Sequence, residues 1–180
     1  MHFLGRVHEK KGVQVLLRAL EAPALAGHTF AVVIAGPVDE AFRPALDRLR
    51  AAASSPERLV FTGPVAGARK AALFAHAAAF VLPSASEGLP MAALEALASG
   101  CPVVLTAACG LPEVTEAGAG LEVAAQPADV AAALARLLGD ERLRQEMGRR
   151  GRRLAAERFG REAAAERMLA LCREVARQPA

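Results

Sequence analysis

FVLPSASEGLPMAALE, residues 80–95, is the stretch of this sequence that decides the fold. It begins with the apolar, strand-forming run 80–82, which ends at Pro83. A polar loop that contains Gly88 follows, and Pro90 then opens a helix, because a proline in the first helical turn lacks only an N–H that has no partner there. A strand that leads through a loop into a helix N-terminus is where α/β proteins bind anionic ligands. The stretch therefore predicts an α/β fold with an anion site at this loop.

Two carboxylates bracket this unit, Glu87 in the loop and Glu95 within the helix. Eight helical residues rise about 12 Å, whereas the two carboxyl groups of a glycosidase stand roughly 5–10 Å apart and face one bond. Glu87 and Glu95 are therefore interpreted as contacts to the two ends of a long ligand. The alternative is that they are a loop glutamate and a solvated helix glutamate without a shared role.

Strand and helix patterns alternate along the whole chain, which favours right-handed βαβ units. The predicted strands are short and apolar, as buried parallel strands are, and cover residues 2–5, 30–36, 59–63, 78–83, 102–106 and 120–125. The predicted helices cover residues 12–22, 40–53, 68–77, 90–99, 127–139, 140–156 and 161–177. The pattern predicts a Rossmann-like three-layer α/β/α sandwich around a parallel sheet of roughly six strands. Ligands of such sheets bind at the carboxyl ends of the strands.

Length and composition limit the class of protein. A chain of 180 residues forms one domain with a single core. The absence of Trp and Tyr argues against an aromatic platform for sugar stacking, and a net charge of +3 with glutamates among the basic residues argues against nucleic-acid binding. Three cysteines without metal-ligand spacing fit a reduced, cytosolic chain. No apolar run approaches the length of a membrane span, so we expect no integral membrane segment.

A second candidate site follows the first predicted strand, in GRVHEKKG, residues 5–12. The segment matches neither the G-x-G-x-x-G fingerprint nor a Walker loop, so side-chain cations rather than glycine amides alone would meet a phosphate. The planar guanidinium of Arg6 can donate two hydrogen bonds to one phosphate, and the ammonium of Lys11 offers a point charge. Because both loops follow the carboxyl ends of their strands, we expect the 5–12 loop and the Glu87 loop to lie side by side. The alternative is that Arg6 and Lys11 are ordinary surface cations.

Three segments together resemble a known family: GRVHEKKG near the start, LPSASEGLPMAALEALASGCPVV in the middle and CGLPEV after it. In this order and spacing they resemble the C-terminal, donor-binding domain of retaining glycosyltransferases with the GT-B fold, of the large family 4 type, also called group 1. The resemblance covers nearly the whole chain, although the aromatic pair usual in the closing helices is reduced to Phe159–Gly160. It implies hexosyltransferase-type transfer of a glycosyl group from a nucleotide diphosphate sugar to an acceptor that the sequence does not name.

The resemblance also implies roles for the first loop and for Glu87. Gly5, Arg6 and Lys11 would contact the donor, and the two cations would bind its diphosphate and neutralise the leaving group. Glu87 would face the hydroxyls of the donor sugar, so Glu87, Arg6 and Lys11 are the predicted catalytic residues. Cations placed where negative charge develops stabilise a transition state. No D-x-D occurs in the sequence, so no metal or other cofactor is expected.

The remaining donor contacts are implied in the same way. Gly88 and Leu89 would offer backbone N–H groups to the sugar or phosphate, whereas Pro90 has no N–H and only shapes the turn. Glu95 would hold the ribose hydroxyls. Glu113, in the GLPE segment, would lie near the donor base or sugar, with a helix-capping role as its alternative.

The family likeness predicts two parts within the chain. Residues 1–156 would form a Rossmann-like nucleotide-sugar-binding domain, and residues 157–180 a C-terminal helix that crosses back to an N-terminal GT-B domain, which this sequence lacks. The abrupt start in a strand, and a last helix without a place on the sheet, motivate this expectation. Because the acceptor binds mainly to the N-terminal domain, we expect little or no transferase activity from these residues alone. The expected location is cytoplasmic, with any membrane association made through the missing domain.

Two other functions stay open at this stage. The first is a non-catalytic nucleotide or nucleotide-sugar binding module that uses the same pocket for regulation or assembly. The second is a sugar-phosphate enzyme of the related phosphorylase or epimerase type. The lack of a lysine in a recognisable pyridoxal motif counts against the phosphorylase.

Overall fold

The computed structural model describes residues 1–175 and 177. Six β-strands alternate with helices along the described chain. The strands are β1 (His2–Leu4), β2 (Val32–Ala35), β3 (Leu59–Gly63), β4 (Phe80–Leu82), β5 (Val103–Thr106) and β6 (Gly120–Val123). The helices are α1 (Val13–Ala19), α2 (Arg43–Ala51), α3 (Gly67–His76), α4 (Met91–Ala98), α5 (Pro112–Glu116), α6 (Pro127–Gly139), α7 (Glu141–Leu154) and α8 (Arg161–Val175).

The strands form one parallel sheet in the order β3-β2-β1-β4-β5-β6. The direction of the chain across the sheet reverses between β1 and β4, which makes this junction the topological switch point where such sheets bind ligands. The β1–β4 junction pairs at one register position, His2 with Phe80, whereas the β5–β6 pair extends over four. The predicted α/β fold, Rossmann-like with a six-stranded parallel sheet, is confirmed.

The core lies on both faces of the sheet. Every residue of β4 and β5 is buried, as expected for strands that are covered on two sides. Helix α1 packs against α2 and α6, and α4 packs against α7. Because right-handed crossovers on either side of a switch point place their helices on opposite faces, these two helix groups form the outer layers of the sandwich. The edge strand β3 instead alternates between half-buried and exposed residues.

All six predicted strands and all seven predicted helices are present, with bounds that differ by a few residues. The short helix α5 was not predicted. It has five residues, of which only Val114 is buried, so it carries no helical periodicity that a sequence pattern could reveal.

The C-terminal part is built differently from the predicted uninterrupted helix over 140–156. Helix α7 ends at Leu154 and continues into a π-helical turn, Ala155–Phe159, before α8 begins. Helix α8 packs mainly against that turn. Positions 176 and 178–180 of the predicted terminal segment lie outside the described residues, and the division of the chain at residue 157 stays a prediction.

Candidate functional site

The loops that follow β1 and β4 lie side by side at the switch point, as the sequence predicts. The carbonyl of Lys10 accepts hydrogen bonds from the Ala85 N–H and from the Ser84 hydroxyl, both at 2.8 Å. Ser84 is fully buried, so its hydroxyl is a fixed part of the junction between the loops. The 5–12 loop and the Glu87 loop therefore form one surface at the carboxyl end of the sheet.

Gly12 allows the two loops to approach this closely. It has a left-handed backbone conformation with φ of 74°, and a Cβ at this position would stand 1.9 Å from the carbonyl oxygen of Pro83. Only glycine tolerates both conditions. The final glycine of GRVHEKKG thus has a steric role that brings the basic loop against the end of β4.

Lys11 and Glu87 form an ion pair across this junction. The Lys11 ammonium donates to both Glu87 carboxylate oxygens, at 2.7 Å and 2.6 Å. The Glu87 side chain is 5% exposed and that of Lys11 is 31% exposed. Burying a carboxylate without a partner is costly, so Lys11 compensates the charge of Glu87. The structure places the predicted phosphate-binding lysine and the predicted sugar-binding glutamate in direct contact, which sequence reasoning did not anticipate.

The loop after β5 also forms hydrogen bonds with the loop that carries Glu87. The Glu87 N–H donates to the carbonyl of Ala108 at 3.1 Å, and the Thr106 hydroxyl donates to the carbonyl of Ser84 at 2.5 Å. The carboxyl ends of β1, β4 and β5 are therefore joined by hydrogen bonds around one carboxylate. This arrangement restricts where the Glu87 side chain can go.

Two backbone amides next to Glu87 are available to a ligand. Among the described residues, no acceptor receives a hydrogen bond from the N–H of Gly88 or of Leu89. Both residues are exposed, and Pro90 after them is the N-cap of α4. Free N–H groups at a helix N-terminus favour anions, so the predicted role of these amides is compatible with their position.

Glu95 forms a second ion pair, with Lys70. The Lys70 ammonium donates to one carboxylate oxygen of Glu95 at 2.8 Å, and the two side chains are 34% and 36% exposed. Lys70 lies in α3, and the sequence analysis missed it because α3 and α4 are not linked by any local pattern. The composition could have drawn attention to Lys70, because the chain has nineteen arginines but only three lysines. Two of those three lysines contact Glu87 and Glu95.

The other predicted site residues have fewer contacts. Arg6 is exposed, and its side chain takes part in no hydrogen bond or ion pair within residues 1–175 and 177. Gly5 donates its N–H to the carbonyl of Ala35 at 3.0 Å, which fixes the end of β1 against β2. Glu113 is half-buried in the first turn of α5, and the described contacts do not link it to Lys11 or Glu87. Donor contacts by Arg6, Gly5 and Glu113 stay predictions.

The two buried cysteines, Cys109 next to the site and Cys101 at the amino end of β5, are not candidates for nucleophiles. Burial raises the pKa of the Cys109 thiol, and burial raises that of Cys101 to about 12. A thiol reacts as its thiolate, so both groups are held in the unreactive form. Cys109 instead donates a weak hydrogen bond to the carbonyl of Leu82 at 3.5 Å and packs in the core.

No group of three or more His, Cys, Asp or Glu side chains among the described residues could hold a metal ion. No helix that the structure describes is both long and apolar enough to cross a membrane.

Comparison with known proteins gives consistent matches. The family model described as Glycosyl transferases group 1 matches residues 1–140. A D-inositol 3-phosphate glycosyltransferase from Corynebacterium jeikeium is 38% identical over 96% of this chain, which corresponds to 43% of that protein. Sucrose-phosphate synthase from Thermosynechococcus elongatus superposes with a TM-score of 0.83 at 28% identity, over 97% of this chain and 45% of the other.

A third match, Anabaena HepE in complex with UDP, has a TM-score of 0.81 at 20% identity and covers 94% of this chain and 48% of the other. At this level of identity the likeness concerns the fold alone. The chain spans less than half the length of the curated relatives that it matches.

Proposed function

The chain belongs to the group 1 glycosyl transferases, and from that membership we propose that it is the donor-binding part of a retaining enzyme that uses a nucleoside diphosphate sugar. The observation that carries this proposal is a set of two ion pairs, Lys11 with Glu87 at the switch point and Lys70 of α3 with Glu95 of α4, the helix that follows the Glu87 loop. Two carboxylates, each next to a cation, thus lie in and after the loop that also carries the Gly88 and Leu89 amides. A nucleoside diphosphate sugar is a long ligand with hydroxyls at both ends and anions between them, which suits this arrangement.

The cations of the first loop act on the leaving group. When the bond between the anomeric carbon and the phosphate oxygen breaks, its electron pair stays on the diphosphate, which gains negative charge. Arg6 and Lys11 stabilise that charge as it develops, and the N-terminus of α4 contributes its partial positive charge. Arg6 has no protein partner among the described residues, so it meets a phosphate without first breaking an ion pair.

Glu87 becomes available to the sugar as the diphosphate binds. Both of its carboxylate oxygens accept hydrogen bonds from Lys11. A diphosphate that draws the Lys11 ammonium towards itself leaves Glu87 with free acceptor positions, and sugar hydroxyls are suitable donors for them. We thus propose that Lys11 links phosphate binding to sugar recognition.

The acceptor and the transfer step depend on more than this chain. The proposal assigns acceptor binding to an N-terminal domain and predicts little or no turnover by residues 1–180 alone. It also assigns the protein to the cytoplasm, where Cys101, Cys109 and Cys172 stay as free thiols. A robust multiple-turnover activity of these residues by themselves would contradict the assignment of the acceptor site.

The first test is thermal unfolding with millimolar UDP, GDP or ADP, each with and without EDTA. A ligand at 100 times its dissociation constant adds about 2.7 kcal/mol to the free energy of unfolding. We expect one nucleotide to raise the unfolding temperature, EDTA to leave the shift unchanged, and Glu95→Ala to make the shift clearly smaller, because a tenfold weaker affinity removes about 1.4 kcal/mol of the stabilisation. The matched control is Glu57→Ala, an exposed glutamate that precedes β3 at the opposite end of the sheet.

Each outcome bears on a separate part of the proposal. No shift with any nucleotide contradicts donor binding by this chain, and a shift that EDTA removes contradicts binding without a metal. A shift that is as large in Glu95→Ala as in the wild type contradicts the role of Glu95 in holding the nucleotide.

A further inference from the structure

Lys70 contacts Glu95 in a way that leaves part of the carboxylate free. The ammonium donates to Oε1 of Glu95 at 2.8 Å. Within the described residues, no donor occupies the other oxygen, Oε2. A carboxylate has about four acceptor positions, so Glu95 can bind further donors while it stays attached to Lys70.

The other carboxylate of the site is in a different state. Glu87 has both oxygens engaged by Lys11 and is almost completely buried. Glu95 is about one-third exposed and engaged through one oxygen. Among the described contacts, Glu95 therefore keeps acceptor positions that a ligand can use, whereas Lys11 takes both oxygens of Glu87.

We propose that Lys70 is a positioning residue that holds the Glu95 carboxylate for recognition of the nucleotide ribose. This inference rests on the function proposed above. The two vicinal hydroxyls of a ribose donate hydrogen bonds to the free side of Glu95, while Lys70 fixes the opposite side. A carboxylate at the end of a mobile glutamate side chain would lose conformational entropy on binding, and the contact with Lys70 removes part of that loss beforehand.

Stability alone does not explain this ion pair. Pairs between half-exposed side chains contribute little to folding because water screens them and their side chains lose entropy. Helix α3 is already held in place by Phe74, which is buried in the core. The neighbouring Arg69 is exposed and takes part in none of the described ion pairs. Helix α3 therefore provides both a cation that is paired with Glu95, Lys70, and a neighbouring cation for comparison, Arg69.

The test compares binding of UDP, GDP and ADP with binding of their 2′,3′-dideoxy counterparts, measured by calorimetry. Wild type is expected to bind the ribose form about tenfold more tightly, because hydroxyls then donate to a charged acceptor. In Lys70→Met this preference should fall below about threefold, with little change in the affinity for the dideoxy form. Lys70→Arg, which keeps a donor for Oε1, and Arg69→Met, the matched control, should both keep the preference.

Four results would overturn the inference. A ribose preference that survives in Lys70→Met shows that Glu95 needs no support, and a larger preference in Lys70→Met shows that Lys70 competes with the ribose. Loss of binding to the dideoxy form as well shows a general effect on the site. Absence of nucleotide binding by the wild type would overturn the proposed function together with this inference.

Discussion

At the scale of single residues, His2 is the least expected feature of the core. Its side chain is 1% exposed, and neither ring nitrogen has a hydrogen-bond partner among the described residues. The ring packs edge-on against Phe74 at 4.8 Å between centroids and lies 5.3 Å from Phe80. Burial lowers the pKa of His2 to about 3 from its usual 6.5.

This burial predicts a specific sensitivity to acid. The unfolded chain binds a proton at His2 below pH 6.5, but the folded chain does so only near pH 3. The contribution of neutral His2 to the free energy of unfolding is therefore complete above pH 6.5 and is lost as the pH falls from 6.5 towards 3. The slope approaches about 1.4 kcal/mol per pH unit. When the pH is lowered from about 7 to about 5, the free energy of unfolding should decrease more in the wild type than in His2→Leu. The expected difference between the two decreases is about 2 kcal/mol, measured by urea titration.

The control for this prediction is His76→Leu, at an exposed position in α3. It should keep the pH dependence of the wild type, because the substitution is at the surface and leaves the buried His2 ring in place. Equal pH dependence in wild type and His2→Leu would contradict the prediction.

Residue identities in the two loops could be predicted from sequence, but their pairing could not. Glu87, Glu95 and Lys11 stand out because their motifs have a fixed order and spacing. The contact of Lys11 with Glu87 joins residues 76 positions apart, and its closeness depends on Gly12 fitting against Pro83. Lys70 has no motif at all. Its relevance arises only from the packing of α3 next to α4.

At the scale of elements, the approach of the β1–α1 loop to the end of β4 is the contact that builds the site. Gly12→Ala would place a methyl group 1.9 Å from the Pro83 carbonyl oxygen and force an unfavourable φ. Since backbone atoms on both sides cannot yield easily, we expect a loss of at least about 3 kcal/mol in urea unfolding. Nucleotide affinity should fall as well, because the loops that carry Lys11 and Glu87 separate.

Gly27→Ala is the matched control. A Cβ at Gly27 meets nothing within 4 Å, so its effect on the free energy of unfolding should stay within about 0.5 kcal/mol. A Gly12→Ala variant as stable as this control would show that the loops are less tightly joined than described.

The strands were predictable as elements because each is a short apolar run that ends at a turn-forming residue. The edge strand β3 was found in the same way although its residues alternate in exposure. The order of the strands follows from right-handed connections, but the position of the switch point does not follow from composition or periodicity. Helix α5 was not predicted from the sequence because a five-residue helix with one buried side chain has no periodic pattern.

At the scale of the whole molecule, α8 presents apolar side chains to solvent. Met168, Leu169 and Leu171 are each more than half exposed. Replacing all three by Gln should change the free energy of unfolding by less than about 0.5 kcal/mol each, since they bury little surface within this chain. The same change should lower concentration-dependent association in analytical ultracentrifugation, because exposed apolar patches favour contacts between molecules.

Leu154→Gln provides the contrast, as Leu154 is buried where α7 ends. It should destabilise the chain by about 2–4 kcal/mol through loss of packing and burial of an amide. If the triple variant destabilised the chain as much as Leu154→Gln, the α8 side chains would have to be packed rather than exposed.

The junction between β1 and β4 also has a consequence for the order of folding. Strands β1 to β3 and strands β4 to β6 each come from consecutive chain segments, so each half closes loops of modest length. Joining the halves is the long-range event, made across a junction with a single paired register position. Contacts of large sequence separation tend to form late because their loop closure is entropically unfavourable. Lys11 and Glu87 lie on either side of that junction, so we expect a chain with only its halves folded to hold the cations and carboxylates without the assembled site.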